Sequence, residues 1–150
     1  MNPTDILTYG HATMVQSIEG LSDSDWDIPG ACGVWSVRQI IAHLASYEHL
    51  LIEIFQSLLD ENTPTPLLQQ MGDPQIDFND HQVALRNDQT PTETWVDYDE
   101  ARQKSLALFA QIPVDKHRQS GLLAWYGEAY DLEDFLVYTF YGHKREHAAQ

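Results

Sequence analysis

The chain has 150 residues, 43% of them hydrophobic, which is the size of one domain with one core across residues 1–150. Eight Lys and Arg against 23 Asp and Glu leave a net charge of −15, and Arg38 is the only Lys or Arg in residues 1–75. Such a surface repels phosphate backbones and anionic bilayers, which argues against nucleic acid or membrane as a partner. Cys32 is the only cysteine, so no internal disulfide forms. The opening Met1-Asn2-Pro3-Thr4-Asp5 is acidic and no long apolar segment follows it. No apolar run approaches the roughly 20 residues that span a bilayer. The expectation is a soluble, cytoplasmic, acidic protein.

The pattern is helical almost throughout. A first helix is expected from about Asp5 to Leu21, with Leu7, His11, Met14, Ile18 and Leu21 on one line. Pro29, Gly30 and Gly33 mark the connection that follows. Ser36 and Gln39 form a capping box, and Trp35 and Ile40 have the spacing of a hydrophobic staple. From there Val37 to about Leu59 presents a broad apolar face. Residues 60–90 are irregular, with one short helix predicted from Phe78 to Asn87. Thr90, Pro91 and Glu93 open a third long helix, with Trp95, Tyr98, Arg102, Ser105, Phe109 and Ile112 in one stripe up to Pro113. A loop from Val114 to Tyr130 carries Trp125, Tyr126 and Tyr130, and Asp131 caps a last helix that runs to the end of the sequence. Four such helices suit an all-α, antiparallel four-helix bundle.

Seven histidines invite sorting by helix face, at about 100° per residue. His143 and His147, four residues apart, continue the line of Leu132, Leu136 and Phe140 and so face inward, with Lys144 and Arg145 towards the flanks or outside. His43 lies at the edge of the inner face of the second helix, His11 on the inner stripe of the first, and His49 on a solvated side. Two readings of the inward histidines remain open: packed, hydrogen-bonded imidazoles, or ligands sharing one divalent cation.

The run Trp35-Ser36-Val37-Arg38-Gln39-Ile40-Ile41-Ala42-His43-Leu44, followed by Glu48, resembles the second-helix signature of the DinB-like (damage-inducible) superfamily. Gly142-His143-Lys144-Arg145-Glu146-His147 resembles its HxxxH motif, and Asp77-Phe78-Asn79 and Thr90-Pro91 are similar to its middle region. The resemblance spans nearly the whole chain. It implies an up-down-down-up four-helix bundle, often a homodimer, with a divalent ion (nickel, zinc or iron) held by His43, His143 and His147. It also implies relatives that are small-thiol transferases or isomerases. Only Ala148, Ala149 and Gln150 follow His147, where the family's last helix usually runs on, so a frayed end is expected to hold His147 loosely.

Three neutral imidazoles leave a bound cation an open position and lower the pKa of a water or thiol there. A hydrolytic use needs a base. Glu48 and Glu146 are the nearest carboxylates, although a solvated helix surface is the simpler expectation for both. Tyr47 is expected in the core with its hydroxyl hydrogen-bonded, and His11 as a second partner or core histidine. Cys32 has no activating neighbour. The functional classes that remain are a metal-dependent thiol S-transferase or hydrolase acting on an unknown small molecule, a non-catalytic metal- or small-molecule-binding protein, and a structural homodimer without metal.

Overall fold

The computed structural model describes residues 2–150, and among these every regular element is helical. Asn2 caps the first helix by accepting from the Thr4 N–H at 3.0 Å, and Pro3 takes the first helical position, where a missing N–H costs nothing. Helix α1 therefore covers Pro3–Ile18 rather than Asp5 to Leu21, and Leu21 lies exposed beyond it. Ser36 and Gln39 close the expected reciprocal box, at 3.0 and 3.3 Å, and start α2, Val37–Leu59. Its first half is so enclosed that the whole run from Ile40 to Ser46 is buried.

Helix α3, Pro66–Gly72, was not expected from the pattern. Its N-terminal amides at Leu67 and Leu68 both donate to the buried carboxylate of Glu53, each at 3.0 Å, so α2 supplies the cap. Helix α4 covers Phe78–Ala84, shorter than the predicted segment ending at Asn87, and is capped by Asp77. Thr90 and Glu93 close the box that opens α5, Pro91–Phe109. A short α6, Val114–His117, interrupts the expected loop. The last helical stretch begins with a capping box between Asp131 and Asp134 and runs over residues 132–148. It comprises α7, Leu132–Phe135, a π-helical segment, Leu136–Tyr141, and α8, Gly142–Ala148.

The chain divides into two compact units: residues 1–20 with 109–150, and residues 21–108. In the first, α1 packs along the last helix. Gly10 permits the approach, since a Cβ there would lie 3.4 Å from the Tyr141 ring and 3.5 Å from Lys144 Cδ. Phe135 is enclosed by Trp125, Tyr126 and Phe140, with ring centroids 5.0–5.6 Å away. In the second unit, α2 packs on α3 and α4. Asp97 of α5 ties this unit together, meeting His49 of α2 at 2.7 Å and Arg86 at 2.8 Å. Although burial works the other way, hydrogen bonds from His49 and Arg86 and the Arg86 charge hold the Asp97 carboxyl well below the usual carboxylate range. No helix is long and apolar enough to cross a membrane among the described residues.

Candidate metal centre

The π-helical segment decides which side chains of the last helix turn inward. Within it the Gly142 N–H reaches back five residues to Val137 O. One extra residue in the turn rotates everything after it by roughly 100° relative to an unbroken α-helix. Lys144, expected at the flank or outside, is instead buried at 3% exposure, on the line of Leu132, Leu136 and Phe140. His143 and His147 move to the neighbouring face and are half-buried.

The two imidazoles still act as a pair. Their ring centroids are 4.7 Å apart and Nε2 lies 3.0 Å from Nε2. Burial, then the charges of His147 and Lys144, lower the pKa of His143 to about 4, so it is a neutral donor at physiological pH. Two nitrogens bound at about 2.0–2.1 Å to one tetrahedral zinc ion sit roughly 3.3 Å apart, a few tenths of an ångström wider than this pair. The Nδ1 of His147 is hydrogen-bonded to Gln150 Oε1 at 2.8 Å. Gln150 is the residue that sequence reasoning missed. Its signal was the i+3 spacing from His147, one turn away on the same face.

His43 is 2% exposed on α2, with the Trp35 ring 5.1 Å away and the Tyr47 ring edge-on at 4.9 Å. The capping box at Ser36 sets this register. His43 belongs to the second unit, and His143 and His147 to the first.

The other candidates stand elsewhere. His11 is half-buried on α1. Tyr47, expected in the core, is only half-buried. Its hydroxyl donates to Asn79 Oδ1 at 3.2 Å and burial raises its pKa, so it stays protonated. Glu48 corrects the expectation of a solvated surface: it is 1% exposed and accepts from Ser105 Oγ at 2.9 Å. The apolar face of α2 is wider than a single stripe because α5 covers the side on which Glu48 stands. Glu146 is exposed, as expected. His49 is not simply solvated but bonded to Asp97, and His117 stacks on Phe109 at 4.6 Å with Nε2 3.1 Å from Ile112 O. Cys32 sits in a tight turn, its carbonyl accepting from the Trp35 N–H at 2.8 Å.

The family model of the mycothiol maleylpyruvate isomerase N-terminal domain matches residues 7–131. The chain belongs to that family, which is DinB-like, and the all-α class agrees with it. The matched span takes in His43 and stops before His143 and His147. No curated protein and no solved structure gives a match.

Proposed function

We propose that this chain is a metal-dependent DinB-like protein in which His43, His143 and His147 hold one divalent ion (nickel, zinc or iron) and that it acts on a small thiol in a transfer or isomerisation reaction. The observation that carries the reading is the His143–His147 pair, with Nε2 3.0 Å from Nε2 and His143 neutral at physiological pH; His43 is the third ligand that the family resemblance implies. The thiol comes from the family, whose model is named for an isomerase and for mycothiol. When bound, an ion with three neutral ligands keeps its charge uncompensated and supplies an acidified thiol or water at an open position.

The chain's own residues supply the rest. His43 is fixed between two aromatic rings, which hold its orientation and exclude water from its face. Tyr47 keeps its proton, which suits it to donating hydrogen bonds rather than to accepting a proton. Glu48 is held by Ser105, which supports a fixed, buried carboxylate rather than a mobile base. The net charge of −15 supports a small-molecule partner over nucleic acid or an anionic membrane, and the single cysteine is compatible with the cytoplasm. A homodimer is the assembly that the family resemblance suggests.

The test is metal content by mass spectrometry on untagged protein beside a His143→Ala variant. About one ion per chain, absent from the variant, is expected. Thiol-dependent turnover of electrophiles that chelation abolishes would then establish the enzyme, and an ion without turnover would favour a binding protein. No ion in either sample after soaking with nickel, zinc and iron would refute the proposal.

A further inference from the structure

We infer that Gln150 is a positioning residue for this centre: its side-chain oxygen holds His147 in the Nδ1–H tautomer, so that His147 offers Nε2 as its ligand atom. The inference rests on the three-histidine reading for its purpose, though not for its chemistry. A glutamine Oε1 carries only lone pairs, so the 2.8 Å bond to His147 Nδ1 exists only if that nitrogen carries the proton. A neutral imidazole has one N–H, which leaves a bare lone pair on His147 Nε2. That atom is the one 3.0 Å from His143 Nε2.

The contact between the two Nε2 atoms then makes His143 the donor. Without an ion the rings therefore carry opposite tautomers, His143 protonated on Nε2 and His147 on Nδ1. The helix end places the glutamine for this task. The Ala149 N–H donates to the carbonyls of Arg145 and Glu146, and the Gln150 N–H to that of His147 at 3.3 Å, which folds residue 150 back over the ring. A partner on the far nitrogen of a histidine ligand orients the ring and raises its basicity.

Long-range proton–nitrogen correlation spectra of the metal-free protein, labelled with nitrogen-15 histidine, read the tautomers directly. The expected result is a protonated Nδ1 and a bare Nε2 on His147, lost in Gln150→Ala and kept in Gln150→Glu, which preserves the acceptor. Chelator competition with zinc should show affinity weakened about 10- to 100-fold in Gln150→Ala. A wild-type His147 protonated on Nε2, or an alanine variant with unchanged tautomer and zinc affinity, would overturn the inference. A wild-type protein that takes up no zinc would refute the metal reading instead, while the metal-free spectra would still decide what Gln150 does.

Discussion

Ser105 of α5 and Glu48 of α2 meet at 2.9 Å, with both side chains 1% exposed. The serine hydroxyl also lies 2.8 Å from Arg102 O, so one proton serves two acceptors. Burial first, and then the negative charge of Glu48, push the pKa of the neighbouring Tyr98 phenol far above its ordinary value. Removing the hydroxyl leaves a buried carboxylate short of a donor, so Ser105→Ala should cost about 1–2 kcal/mol in urea unfolding. An unchanged midpoint would show that Glu48 does not depend on this bond.

Asp97 should make stability depend on acid. Its folded pKa is depressed, so its contribution is present above the unfolded value of about 3.9 and is lost as pH falls towards the folded one. Asp97→Asn should therefore destabilise by about 1–2 kcal/mol at neutral pH, a figure reduced because the carboxylate is partly exposed. The gap between wild type and variant should narrow below about pH 4. A gap independent of pH would assign the loss to packing.

Gly10 should tolerate one carbon and no more. An added Cβ meets Tyr141 and Lys144 at 3.4 and 3.5 Å, ordinary contact distances, while glycine in a helix interior costs about 1 kcal/mol relative to alanine. Gly10→Ala should thus be neutral or up to about 1 kcal/mol stabilising, whereas Gly10→Leu should cost about 1–3 kcal/mol by overpacking. Thermal melts of both variants check the sign.

Zinc should raise the melting temperature of the wild-type protein, because a ligand at 100 times its dissociation constant adds about 2.7 kcal/mol to the folded state. His43→Ala should abolish that increment and leave it insensitive to chelator. An equal rise in the variant would place the ion away from His43.

Where a helix starts was legible because the signals are local. Ser36 with Gln39, Thr90 with Glu93, and Asp131 each make the bond that their spacing implies. Helix α3 was not, since the carboxylate of Glu53 that caps it comes from 14 residues earlier in the sequence. The pairing of His143 with His147 needed only their i, i+4 spacing. Their face, and the burial of Lys144, depended on a turn that does not follow the 3.6-residue period. Glu48 was misplaced for a different reason: a hydrophobic stripe says which side of α2 is apolar, not that α5 covers a carboxylate beside it.

The wide turn over Leu136–Tyr141 absorbs one residue of the helix, and the inward-facing residue depends on its doing so. Removing one residue from it would let the helix close into ordinary i→i+4 bonding and leave Lys144 and the two histidines on the faces they now hold, because the wide turn is what accommodates the extra residue. Closing the turn with all its residues kept would instead bring His143 to the face of Lys144, so the bonding pattern of six residues sets which side chain that face presents, with no ligand substituted.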